Sequence, residues 1–298
     1  MPFAHWIHGA PILADGAWGT ELQKRGLPPG ADPDEWNLTQ PALVREVAEA
    51  YVQAGSRVIL TNTFRANPVS LALHNLEAQV EAINRAGVRI SREAAQGVAL
   101  VFASLGPTGK MLVTKEITAQ QMKDAFTAQA CALAAEGPDA LLLETLSDLT
   151  EARIAAEAAL ETGLPVIVSF VFDSGKNSDR TIMGATPEQA ATALAAAGVQ
   201  AIGANCGNGI REYIPICRRL VAASPLPVWM KPNAGLPEVV NGKMEYRTTP
   251  AEFAAAAREL VTAGAAFVGG CCGTSPDFIR AMAAARSWGH PLATRGGS

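Results

Sequence analysis

Most of the motifs that announce a chemistry are missing from this chain of 298 residues. No Gly-x-Gly-x-x-Gly follows the first apolar run, which argues against a dinucleotide-binding open sheet, and there is no Walker loop, nucleophile elbow or His-Glu-x-x-His. Histidine is scarce: His5, His8, His74 and His290 are the only four, and none ends an apolar run, so they are poor ligand candidates. His5 and His8 have a metal-like spacing but precede the first strand and read as an exposed tail. No apolar stretch approaches the roughly 20 residues of a membrane span. The N-terminus lacks the charged region, apolar core and cleavage site of a secretory signal. A formal net charge of −4 leaves no basic footprint for nucleic acid. The expectation is a soluble, cytoplasmic protein acting on a small molecule, with neither a nucleic acid nor a membrane as partner.

What is present is a regular alternation. Short apolar runs, often β-branched, fall at residues 10–14, 57–62, 98–104, 139–144, 164–170, 199–205, 226–231 and 265–270. Helical, Ala-rich segments follow them at 40–54, 68–96, 117–136, 149–162, 186–197, 209–223, 249–263 and 275–287, the first after a long loop. Thr186-Pro187-Glu188, Thr249-Pro250-Ala251-Glu252 and Ser275-Pro276-Asp277 join a cap residue to proline at the first helical position and an acidic first turn. Gly55, Gly163, Gly198 and Gly264 sit where left-handed C-terminal caps are expected. Eight strand-helix units are the number that closes a parallel sheet, so the fold class is α/β and the architecture a single (β/α)8 TIM barrel. One domain spans residues 1–298, with its core at about 10–287, and no linker or composition break divides it.

A barrel of this kind carries its chemistry at the C-terminal ends of its strands. Those positions hold Asp15, Asn62 and Thr63, Glu144, Asn205 and Cys206, Asn233, and the adjacent pair Cys271-Cys272. Neighbouring cysteines rarely bridge each other, because the ring they would close is strained. With Cys206 they make three thiolates converging on one rim. Three thiolates suit Zn²⁺ and leave one tetrahedral position for a substrate thiol. The competing reading treats free cysteines as small buried hydrophobes, and that reading is adopted for Cys131 and Cys217, which fall inside helical patterns. Asp15 and Glu144 together suit a cationic group such as an amino-acid ammonium, although alone each could cap a turn or pair with a structural arginine. Asn205 and Asn233 serve equally well as loop-orienting residues.

Five strings then carry a resemblance: Asp15-Gly16-Ala17-Trp18-Gly19-Thr20, Thr61-Asn62-Thr63-Phe64, Glu144-Thr145, Gly203-Ala204-Asn205-Cys206 and Gly269-Gly270-Cys271-Cys272-Gly273-Thr274. The chain resembles the zinc-dependent homocysteine S-methyltransferases from about residue 10 to about 285. The resemblance implies a (β/α)8 barrel with zinc on Cys206, Cys271 and Cys272, the residues through which catalysis would run. It places the homocysteine ammonium on Asp15 and Glu144 and the carboxylate near the backbone of Gly16 and Ala17, with Asn205 also at the substrate. Zinc would take the homocysteine thiol as fourth ligand and present it to an electrophilic methyl group, giving methionine.

For the methyl donor, Arg65 and Thr145 stand where betaine-type members carry tyrosines, which counts against betaine. Glu144-Thr145-Leu146-Ser147-Asp148 and Pro232-Asn233-Ala234-Gly235-Leu236-Pro237 look closest to the homocysteine domain of cobalamin-dependent methionine synthase. With no Asp-x-His-x-x-Gly corrinoid motif in the chain, the expected donor is methylcobalamin on a separate corrinoid protein. The alternatives are a self-sufficient enzyme using S-methylmethionine or S-adenosylmethionine, a different small thiol as acceptor, and a non-catalytic zinc- or thiol-binding barrel.

Overall fold

A computed structural model describes residue 6 and residues 11–240 and 243–285 of the chain. His5, His8 and His290, the start of the first expected strand and the end of the last expected helix lie outside the described residues. Seven barrel strands come first: β1 (Ile12–Leu13), β2 (Val58–Leu60), β3 (Leu100–Leu105), β4 (Ala140–Leu146), β5 (Val166–Phe170), β6 (Ala201–Cys206) and β7 (Val228–Pro232). A hairpin of β8 (Glu238–Val240) and β9 (Lys243–Glu245) intervenes before the eighth barrel strand, β10 (Ala265–Val268). The barrel order is β1-β10-β7-β6-β5-β4-β3-β2, with every pairing parallel. One parallel bridge, Ala14 to Val58, closes β1 onto β2, backed by the Arg57 amide donating to the Leu13 carbonyl at 2.7 Å.

The helices are α1 (Gly19–Lys24), α2 (Trp36–Thr39), α3 (Pro41–Ala54), α4 (Pro68–Leu71), α5 (Val80–Ala95), α6 (Ala119–Ala134), α7 (Leu149–Leu160), α8 (Pro187–Ala197), α9 (Ile210–Ala223), α10 (Pro250–Thr262) and α11 (Pro276–Ala284). Thr186 and Thr249 close reciprocal capping boxes with Gln189 and Glu252, whereas Ser275 makes no side-chain cap bond. All four glycines expected at left-handed caps have positive φ. The helix expected over 68–96 is broken. Asn75 turns left-handed at φ 59° after a short 3-10 turn, and Ala66, Leu71, Leu76 and Ile83 form a separate apolar cluster that fixes the break. The sequence reading also missed α1, α2 and the β8–β9 hairpin, all inside segments treated as loop. Among the described residues no helix is long and apolar enough to cross a membrane.

Strand parity decides what fills the barrel. Ile12, Ala14, Val58, Leu60, Leu100, Phe102, Ala140, Leu142, Ile167, Ala201, Trp229 and Phe267 pack as one inner cluster, while the alternate residues pack against the helices. Phe102, Trp229 and Phe267 stack with centroids 5.4–6.0 Å apart. Each such ring removes roughly 150–250 Å² from water, worth about 4–6 kcal/mol before conformational entropy is counted. Trp229 fits because β6 offers Gly203 opposite it, where a Cβ would lie 2.1 Å from the Trp229 carbonyl oxygen. The same parity carries upward. Two residues beyond the inner apolar layer, or four in β6, Ser104, Glu144, Ser169, Asn205 and Lys231 form a buried polar layer at the C-terminal mouth.

Candidate functional site

The three cysteines meet at that mouth. Cys206 ends β6, and Cys271 and Cys272 follow β10. Their Sγ atoms all lie within 4.8 Å of one another, with Cys206 and Cys271 in hydrogen-bond contact at 3.1 Å. Four ligands at Zn–S distances of about 2.3 Å stand about 3.8 Å apart in a tetrahedron, a separation inside the spread of this cluster. The donor set therefore fits zinc in type and in spacing. Thiol hydrogen bonds from Cys206 and Cys271 pull Cys272 down to about 3. Cys206 is pushed up by its bonds to Cys271 and Cys272 and by burial. For Cys271 the bond from Cys206 works the other way, but its bond to Cys272, burial and the Cys272 charge lift it to about 12.

Outside the cluster, Cys217 is buried, as expected, with its thiol pushed up to about 12 by desolvation. Cys131 corrects the sequence reading: it is exposed, because α6 turns Ala130, Ala132 and Leu133 inward instead. His74 lies near Asp32 at 3.8 Å and takes no part in the thiol cluster.

A cavity of about 290 Å³ opens above the thiols, lined by Gly16, Ala17, Trp18, Leu60, Phe64, Ser104, Glu144, Thr145 and Lys231 among others. Glu144 faces it from β4, whose register against β5 shifts between Leu143 and Leu146. Thr145 is left-handed there at φ 62°, an uncommon and strained state for a β-branched residue. Asn205 holds it in place: its Oδ1 accepts from the Thr145 amide at 2.8 Å and its Nδ2 donates to Thr145 Oγ1 at 2.6 Å. Asn205 Oδ1 also accepts from Ser169 Oγ at 2.7 Å, and Asn205 is fully buried and outside the cavity lining. Of its two sequence readings, the geometry is that of the loop-orienting one.

Glu144 Oε1 accepts from Ser104 Oγ at 2.5 Å, and no donor among the described residues bonds its Oε2. Burial pushes its pKa up to about 7, with Lys231 opposing and Cys271 and Asp15 adding to the rise.

Asp15 is placed differently. It is 0% exposed and absent from the cavity lining. Its Oδ2 accepts from Trp18 Nε1 at 2.7 Å and from the Leu60 amide at 2.8 Å, and its Oδ1 pairs with Lys231 Nζ at 2.5 Å. Gly16 and Ala17 do line the cavity, but the Ala17 amide already donates to Thr274 Oγ1 at 3.1 Å. Asn233 bonds the Gly207 carbonyl and holds a loop.

Lys231 was missed in the sequence because it closes an apolar run and was read as part of the strand. The signal was available. A lone lysine two residues after an inward tryptophan must also point inward, and lysine is almost never buried without a partner.

Comparison with known proteins agrees with this geometry. The sequence profile of the family described as homocysteine S-methyltransferase matches residues 12–286. Methionine synthases of Mycobacterium leprae and Mycobacterium tuberculosis are each 31% identical over 293 residues, covering 92% of this chain and 24% of their own. The chain thus spans about a quarter of the length of the curated relatives it matches. The metallated form of the homocysteine methyltransferase MmuM from Escherichia coli superposes with a TM-score of 0.80 at 26% identity, over 95% of this chain and 98% of that one. Its apo form gives a TM-score of 0.74. Built on a closed eight-stranded barrel with three cysteines at its mouth, this chain belongs to the homocysteine S-methyltransferase family.

Proposed function

We propose that the protein is a zinc-dependent methyltransferase that converts homocysteine to methionine. One observation carries this reading: three thiols from β6 and the loop after β10 converge in a cavity that also presents Glu144. Cys206, Cys271 and Cys272 would hold the metal. Zinc held there would supply the positive charge that lowers the pKa of an acceptor thiol.

The chain's own residues do the rest. Glu144, with Oε2 unspent, receives the homocysteine ammonium. Asp15, buried outside the cavity lining, anchors Lys231 and Trp18. Asn205 acts one step removed, by fixing the Thr145 turn that aims Glu144 inward. Trp18, Leu60 and Phe64 line the cavity with apolar surface and exclude water. In the overall reaction a carbon–sulfur bond forms at the acceptor, the donor–methyl bond breaks, and the thiol proton passes to solvent.

Two donors remain in play, each supported by a separate observation. Similarity to methionine synthases supports a methyl-corrinoid donor. The match to 98% of the homocysteine methyltransferase MmuM of E. coli supports the self-sufficient alternative. Methionine formation by zinc-loaded protein with methylcobalamin, S-methylmethionine, S-adenosylmethionine or betaine, each alone, separates them. Cys206→Ser is expected to lose stoichiometric zinc and all turnover. Full turnover without zinc would refute the proposal.

A further inference from the structure

Lys231 is a charge that the family motifs do not explain. Its Nζ is buried at the barrel mouth, 2.5 Å from Asp15 Oδ1 and 5.9 Å from the centre of the Trp229 ring. To reach Asp15 from β7 it crosses the end of β10, which lies between the two strands. Gly269 leaves the room: a Cβ there would stand 2.5 Å from the Asp15 carbonyl oxygen and 3.2 Å from Lys231 Cγ. Taking an ammonium out of water is costly, and a structural role would need only the pairing with Asp15. Yet Lys231 also lines the cavity, where it is the single cation among the lining residues.

The cavity wall thus offers an anion with a free oxygen, Glu144, and a cation with unspent N–H donors. A lysine ammonium has three, and Asp15 is the hydrogen-bond partner of Lys231 among the described residues. An α-amino acid carries an ammonium and a carboxylate on one carbon, the complementary pair. Of the two backbone positions at that end, Gly16 and Ala17, the Ala17 amide is committed to Thr274, so a side-chain cation adds what the backbone supplies only in part.

We infer that Lys231 receives the α-carboxylate of the acceptor thiol and so selects an amino-acid thiol over a simple aminothiol. The inference rests on the proposed function and adds to it the residue that recognises the acceptor's second charge. Asp15 holds the Lys231 side chain extended across β10, and Glu144 stands close enough to couple with it electrostatically.

The test is a calorimetric titration of zinc-loaded protein with homocysteine and with 3-mercaptopropylamine, which keeps the thiol and the ammonium and lacks the carboxylate. Wild type should bind homocysteine more tightly. Lys231→Met should weaken homocysteine by roughly tenfold to a hundredfold, the effect of one lost charged hydrogen bond, and leave 3-mercaptopropylamine within about threefold. Lys231→Arg should keep most of the selectivity.

Because Lys231→Met strands Asp15 unpaired, the same titration on the Asp15→Asn/Lys231→Met protein, which removes both charges, keeps the comparison readable if the single variant does not fold. Equal losses for the two thiols, or no preference in wild type, would overturn the inference and leave the proposed function standing. Wild-type protein that binds neither thiol would overturn both.

Discussion

Glu144→Gln should make the protein more stable and less able to bind its acceptor. The carboxyl is buried, and its pKa rises from the ordinary 4.5 to about 7, with desolvation as the leading cause. At 1.36 kcal/mol per pKa unit, an ionised Glu144 costs the folded state on the order of 3 kcal/mol above pH 7. The sign follows from proton linkage. Between the unfolded value and about 7 the folded carboxyl holds a proton that the unfolded one has lost, so rising pH favours unfolding over that window. Below it both states are protonated and the cost vanishes.

Glutamine keeps the acceptor for Ser104 Oγ and does not titrate. Urea denaturation of both proteins in the same metal state, from pH 5 to pH 8, should therefore show the variant pulling ahead by about 2–3 kcal/mol across the range. Parallel stability curves would refute the argument that burial governs this carboxyl.

Two further outcomes follow from the same geometry. Homocysteine affinity should rise with pH more steeply in wild type than in Glu144→Gln below about pH 7, by an extra factor approaching ten per unit, and the two should run parallel above it. Calorimetry in matched buffers measures both slopes, and identical slopes would remove Glu144 from ammonium binding. Asn205→Ala should cost about 3 kcal/mol, since it strands the Thr145 amide and Ser169 Oγ in a buried site. Adding Thr145→Gly should recover about 1 kcal/mol by relieving the left-handed backbone. Strictly additive losses would show that Asn205 does not serve that turn.

The barrel was legible because its repeat is long and regular, and because caps such as Thr186-Pro187 and Thr249-Pro250 mark helix starts by chemistry that needs no tertiary contact. The thiol cluster was legible for a related reason: once Cys206 and Cys271-Cys272 are placed at strand ends, barrel closure brings them together. Less visible was anything decided by a competing partner. Asp15 read as one of two carboxylates for a cationic group, and no local pattern announces that Lys231, Trp18 and Leu60 are its hydrogen-bond partners. Asn205 looked like a substrate contact, and its amide is spent on a strained turn that no local pattern predicts. The break near Asn75 stayed hidden because a short left-handed turn interrupts a helical period without erasing it.

The barrel's thinnest join also carries Asp15. Between β1 and β2 the sheet is sewn by a single bridge and a few amides, one of them from Leu60 to the Asp15 carboxylate, whose other oxygen reaches Lys231 on β7. The clasp of the ring and the wall of the cavity are thus the same set of atoms. Prising the seam apart would release Lys231 from its anchor, and a ligand seated against Lys231 would tighten the seam. Occupancy of the site and closure of the ring would then be linked, each favouring the other.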